Sequence, residues 1–350
     1  MAIPAMTKPA IDPINSLNIG LMIISCLAAY ALPFELFLFS YAVLGPLHYM
    51  TQICWLHDRA YFTRDTRGRK WWLALVGTAM LVVIYGIISS LGGKDVAPAL
   101  EIGLFYLAFI GALVVTDALG ARVRVVVAIM AVLLMMVSSG SRSYAVVAFF
   151  LITIIHVFLF TGLFILYGVI KSRSASGLLS LVVFAGCTAV LFMVVPNSQA
   201  YRISPWAFDN YGPFNALNAE LIRLFGFGRA TFAQDIYESQ GGLMVMRFIA
   251  FAYTYHYLNW FSKTSVIGWH RSARPRAMWI AAAWTSAMVL YAYDFRIGMS
   301  VLYAMSILHV MLEFPLDHKT FVALGTELRA MTSGTRQMAA APRQAVGNSR

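Results

Sequence analysis

Leu178-Leu-Ser-Leu-Val-Val-Phe-Ala-Gly-Cys-Thr-Ala-Val-Leu-Phe-Met-Val-Val195 runs for eighteen residues without a charge. As a helix rising about 1.5 Å per residue it nearly crosses the roughly 30 Å hydrocarbon layer of a bilayer, and it lacks the period-two alternation of a barrel strand. In hydrocarbon each backbone amide must be paired inside its own segment, so the run predicts a transmembrane helix. Nine further apolar runs accompany it, at about Leu17–Ala31, Glu35–Leu56, Trp71–Leu91, Pro98–Leu119, Val123–Val137, Tyr144–Ile170, Gly242–Phe261, Met278–Tyr293 and Met299–Phe314. Leu32-Pro33 marks the turn between the first two, because the residue before a proline is pushed out of helix.

Composition agrees with these runs. Of the 350 residues 60% are hydrophobic and 12% charged, about half the charge a soluble surface needs, which excludes a soluble globular protein. The expectation is an all-α, polytopic bundle of about ten spans over residues 1–330, with a loop at 196–241 and a disordered polar tail at 331–350. The net charge of +11 would suggest nucleic acid in a soluble chain, but here its distribution fixes topology. With the N-terminus in the cytoplasm, nineteen of the 26 basic residues fall on inside segments and seven elsewhere. Both termini are therefore expected in the cytoplasm, the protein in the inner membrane, and no nucleic acid as partner. Met1–Asn15 carries one basic residue and reads as no signal peptide.

The loop is expected to hold an aromatic belt of Tyr201, Trp206, Tyr211 and Phe214, followed by an interfacial helix through Leu217, Leu221, Ile222, Leu224 and Phe225. The three cysteines, Cys26, Cys54 and Cys187, fall within spans without metal-ligand spacing, and read as packing residues.

The histidines carry the chemistry. His48, His156, His256 and His309 lie inside the second, sixth, eighth and tenth spans, while His57, His270 and His318 lie at or beyond the exits of such spans. Even-numbered spans run from outside to inside, which gathers the histidines towards the cytoplasmic pole. By helical rise His48 lies roughly 12 Å from the inner end of its span, His256 and His309 roughly 8 Å, and His156 roughly 20 Å. Imidazole is a ligand of iron, zinc and copper, and bundle cores build metal sites from facing helices. His48, His156, His256 and His309 are the expected metal ligands, with His57, Asp58, His270, Asp317 and His318 at a cytoplasmic mouth. Glu313 stands one turn after His309, and Gln52 one turn after His48, which makes Glu313 a candidate ligand, hydrogen-bond acceptor or proton carrier. Tyr255 and Asn259 flank His256 in the dense segment Phe251–Lys263 and are expected, with Glu313, to orient or transform a substrate.

One histidine on each of several spans resembles the Brp/Blh family of membrane β-carotene dioxygenases. The resemblance implies non-haem iron held by four intramembrane histidines, dioxygen chemistry and a lipophilic small-molecule substrate reached from the lipid bilayer, with a redox partner left unidentified. That family's pair of histidines four apart on one helix is missing here, so iron is implied more directly than carotenoid cleavage. Two alternatives stay open. Two facing histidines suffice for haem b. Ser138-Ser-Gly-Ser-Arg142 is similar to a segment of O-antigen polymerases, which implies a glycan enzyme or transporter working at the outer face.

Overall fold

The computed structural model describes residues 12–58, 154–194, 201–263 and 274–332, with isolated helical positions between 77 and 129. Among the described residues every regular element is helical. Helix α1 (Pro13–Ala31) starts where Asp12 accepts the Ile14 amide and Pro13 supplies a preset φ, and it stops at Leu32 before Pro33. Three segments follow as one rod: α2 (Pro33–Phe39), a π-helical turn (Ser40–Leu44) and α3 (Gly45–Asp58). A second π segment (Ile155–Phe160) leads into α4 (Thr161–Ser172), which ends on left-handed Arg173; Ser174 then caps α5 (Ala175–Met193).

A cap of short helices covers the end of the bundle where α1 stops and α2 begins. It consists of α6 (Pro205–Tyr211), a 3-10 turn (Gly212–Phe214), α7 (Asn215–Leu224) and α8 (Ala233–Tyr237). Helix α9 (Gln240–Ser262) returns through the centre, and α10 (Arg274–Tyr293) and α11 (Phe295–Thr332) close the bundle beside α3. Among the described residues three helices are long and apolar enough to cross a membrane: α1, α5 and α11. The central helix α9 is buried on nearly all sides and packs on α1, α2, α3, α5, α7 and α8. That position explains its composition, since a helix screened by its neighbours can carry tyrosine, threonine, asparagine and histidine where a lipid-facing one cannot.

The spans expected at 71–91, 98–119 and 123–137 lie almost wholly outside the described residues, as do the Ser138–Arg142 segment and most of the tail. Two expectations need correction. Helix α11 does not end near Phe314 but runs to Thr332, its neighbours holding it helical past the usual boundary before Pro315. The loop aromatics do not form a belt: Trp206 is exposed, but Tyr211 and Phe214 are buried in the core. Phe34 meets Tyr211 edge-on at 4.8 Å, and Phe37 meets Phe214 at 4.8 Å. Leu217, Leu221 and Ile222 of α7 are likewise buried and serve packing within the protein, whereas Leu224 and Phe225 of the same stripe are exposed. Glu35 fastens the cap, accepting from the Tyr201 hydroxyl at 2.8 Å and the Ser204 amide at 2.9 Å.

Candidate functional site

Counted from the cap end, His48 is the sixteenth residue of the α2–α3 rod, His256 the seventeenth of α9 and His309 the fifteenth of α11. At about 1.5 Å per residue all three lie roughly 21–24 Å from that end, which is why they meet. His156 sits inside the second π segment and joins them. The helices are staggered at the opposite, open end, so distances taken from there misplace His156. Both π segments precede or contain a histidine, and the extra residue per turn re-aims the side chains that follow.

The four rings form a closed circuit. His48 lies 4.8 Å from His256 and 5.4 Å from His309 between ring centres; His156 lies 5.5 Å from His256 and 5.8 Å from His309. All four are buried. The Nε2 atoms of His48 and His256 are 3.2 Å apart. Thr161 Oγ1 donates its single proton to the Val157 carbonyl at 2.6 Å and stands 2.9 Å from His256 Nδ1. That hydroxyl must therefore accept from His256 Nδ1–H, which leaves the Nε2 lone pair facing the circuit. His309 Nδ1 faces the Met305 carbonyl at 3.3 Å, which fixes the same tautomer, and Tyr49 stacks on its ring at 4.2 Å. Tyr49 is held in turn by the Tyr257 hydroxyl at 2.9 Å.

Carboxylates close one side. Glu313 Oε2 lies 3.3 Å from His156 Nε2 and accepts a hydrogen bond from Gln52 Nε2. Asp317 Oδ2 lies 3.7 Å from His156 Nδ1. Asp317 is buried, so it belongs to the cluster rather than to a mouth, because α11 continues beyond it. His318 is buried as well, His57 is exposed, and His270 and the Asp58 side chain lie outside the described residues. Tyr255 and Asn259 turn away from the histidines. The Tyr255 hydroxyl donates to Asn18 at 3.3 Å, and both residues line a separate cleft.

Among the described residues no group of three or more histidine, cysteine, aspartate or glutamate side chains is posed as it stands to hold a metal ion. The cluster nevertheless contains buried polar atoms without hydrogen-bond partners: His48 Nδ1, both His156 nitrogens and both Asp317 oxygens. Each such atom costs about 1–3 kcal/mol. Nothing in the sequence marked Thr161, Tyr49 or Met305 as the groups that orient the rings; Thr161 stands five residues after His156 but serves His256. Cys26 and Cys187 face each other's helices across α1 and α5, each sulfur 3.8–3.9 Å from a carbonyl, in keeping with a packing role.

Comparison of the chain with protein-family models, with curated proteins and with solved structures finds no match in any of the three.

Proposed function

We propose that this protein is a ten-span inner-membrane metalloenzyme, with both termini cytoplasmic, in which His48, His156, His256 and His309 hold one transition-metal ion. The convergence of the four rings, with the Nε2 lone pairs of His256 and His309 turned inward, carries the reading. Nitrogens sharing a metal at about 2.1 Å stand about 3.0–3.4 Å apart for right-angled to tetrahedral geometry. The His48–His256 spacing of 3.2 Å falls in that interval. Imidazoles around one ion place their ring centres on the order of 4.6–6.5 Å apart, and the four measured spacings of 4.8–5.8 Å lie within it. As a quadrilateral the circuit is wide by about half an ångström per ring, a contraction within the reach of side-chain rotation.

Imidazole donors accept iron, zinc or copper, and the resemblance to the dioxygenases selects non-haem iron, which with histidine ligation alone would offer open positions for dioxygen and oxidation of a lipophilic substrate. Glu313, between Gln52 and His156, holds a proton or a charge at the edge of the site. Haem b is disfavoured, because axial nitrogens must stand about 4 Å apart with a macrocycle between them, and the His48 and His256 nitrogens are closer than that. The glycan-enzyme reading rests on Arg142, outside the described residues.

Elemental mass spectrometry of the purified protein tests the proposal. About one equivalent of iron is expected, falling below about a tenth in His48→Ala, His256→Ala and His309→Ala. Metal-free wild type, or metal indifferent to those substitutions, rejects it, and a Soret band selects haem.

A further inference from the structure

The open end of the bundle contains a cleft of about 280 Å³ between the start of α1, the end of α4, the start of α5 and the end of α9. It is separate from the histidine circuit. On α9 its lining residues Tyr255, Asn259 and Lys263 follow one another at helical spacing, and their stripe is turned about 60° from His256. Its wall is apolar at Met22, Phe164, Ile165 and Val169, and polar at Asn15, Ser172 and Lys263, which stand nearer the helix ends.

Two groups in the wall point to a ligand. Asn259 is 7% exposed, and its Oδ1 is buried without a partner. Lys263, at the C-cap of α9 and beyond the span, is half-buried, and loss of hydration pushes its ammonium down to about 8. Other polar groups of the wall are already engaged. Asp12 caps α1 through the Ile14 amide at 2.9 Å, Asn18 accepts from Ser262 at 3.0 Å, and Ser180 donates to the Ser176 carbonyl at 3.0 Å. An ammonium beside an unpaired amide oxygen suits an anionic headgroup: a carboxylate meets the ammonium, and a monoprotonated phosphomonoester can in addition donate its O–H to Asn259 Oδ1. The apolar wall suits a hydrocarbon chain. The volume, at the lower edge of small-molecule sites, is too small for a two-chain lipid.

We propose that this cleft binds a single-chain anionic amphiphile, its head between Lys263 and Asn259 and its chain against Met22, Phe164, Ile165 and Val169. Binding there does not depend on a metal at the histidines, so the two proposals stand or fall separately.

The test is displacement of the fluorescent fatty acid cis-parinarate from the full-length protein in a neutral maltoside detergent. Oleate and oleyl phosphate are expected to compete at concentrations at least about tenfold below oleyl alcohol, the worth of one charge-assisted hydrogen bond. Acetate, inorganic phosphate and dioleoyl phosphatidylglycerol should not compete. A Cβ at Gly168, on the cleft wall, would meet nothing within 4 Å. Gly168→Leu should therefore fill the cleft and weaken binding by at least about tenfold, while the elution volume on size exclusion is unchanged. Lys263→Gln should bring acid and alcohol within about threefold of each other. Equal competition by acid and alcohol in the wild type, competition by phosphatidylglycerol, or a folded Gly168→Leu protein that binds normally overturns the proposal. If Gly168→Leu does not fold, the acid-to-alcohol ratio in wild type and Lys263→Gln decides.

Discussion

Thr161→Val isolates the orientation of one imidazole. Valine keeps the shape and branching of threonine and removes one oxygen, which receives His256 Nδ1–H at 2.9 Å while donating to Val157 at 2.6 Å. The Val157 carbonyl lies within a helical segment, so its loss is small; the buried Nδ1–H is left without an acceptor, at about 1–3 kcal/mol. Relief comes if the ring turns over or moves its proton to Nε2, and either change withdraws the lone pair from the circuit. Losing such an orienting hydrogen bond costs about 10–100-fold in metal affinity. The assay is competition for the metal by a graded series of chelators, read by elemental analysis after desalting, with Thr161→Ser alongside. Thr161→Val should release its metal at chelator concentrations about 10–100-fold lower than wild type. Thr161→Ser, which keeps the oxygen, should fall within about threefold of wild type, because the acceptor is retained. Identical release curves for wild type and Thr161→Val, with His256→Ala depleted, would refute the tautomer argument and leave His256 bound through some other geometry. If serine and valine behave alike, packing rather than the hydrogen bond holds the ring.

Other perturbations follow from the same contacts. A methyl group at Gly45 would stand 2.9 Å from the Tyr49 hydroxyl and 3.3 Å from that of Tyr257. Gly45→Ala should therefore break their hydrogen bond, lower the melting temperature and disturb the His309 ring on which Tyr49 stacks. Gly186→Ala on α5, whose Cβ meets nothing, should be neutral or stabilising by up to about 1 kcal/mol, and equal effects in a thermal melt would count against the argument. Glu313→Ala strands the buried Gln52 amide and should cost about 1–3 kcal/mol, whereas Glu313→Gln, which keeps an acceptor, should cost less than half of that; denaturant melts that rank the two alike would contradict the contact. Asp235 in the cap accepts the amides of Thr231 and Phe232, each at 2.8 Å, and the Phe232 amide foremost holds its carboxyl below the usual 3.8. A depressed carboxylate contributes order that is complete above about pH 3.8 and fades as pH falls through the lowered folded value. Limited pepsin digestion between pH 5 and 2 should open the 229–239 loop progressively in wild type and show no such dependence in Asp235→Asn.

The four histidines were legible because polar residues are scarce in apolar runs and therefore conspicuous. Their common depth was only partly legible. It required knowing where each helix starts, and Pro315 concealed the length of α11, which shifted Asp317 and His318 from an imagined exit into the interior. The two π segments left no trace in the sequence: neither Ser40–Leu44 nor Ile155–Phe160 contains the proline or glycine that would announce an irregular turn, since an inserted residue is stabilised by tertiary packing rather than local propensity. The loop aromatics were misread for a related reason. Tyr211 and Phe214 have the composition of an interfacial belt, and only the closure of the cap onto Phe34 and Phe37 buries them.

The contacts between the α2–α3 rod and α9 explain why the histidine pair stands apart from its neighbours. Successive rungs join Ser40 to Thr254 at 2.7 Å, His48 to His256 at 3.2 Å, Tyr49 to Tyr257 at 2.9 Å and Thr51 to Trp260 at 3.0 Å. Hydroxyl pairs satisfy each other at no further cost, since each member both donates and accepts, and the indole of Trp260 needs only an acceptor. The imidazole rung differs. His256 has committed its proton to Thr161, so its Nε2 can only accept; His48 can donate across the gap only by turning an Nδ1 lone pair into a region where it meets no partner. A ladder made for adhesion alone would be better served there by another serine or threonine pair, which pays no such penalty. A cation between the two nitrogens would take both lone pairs at once, with the His48 proton moved to Nδ1. The rung that is weakest as a hydrogen bond is thus the one at which the proposed metal would replace a contact rather than compete with it.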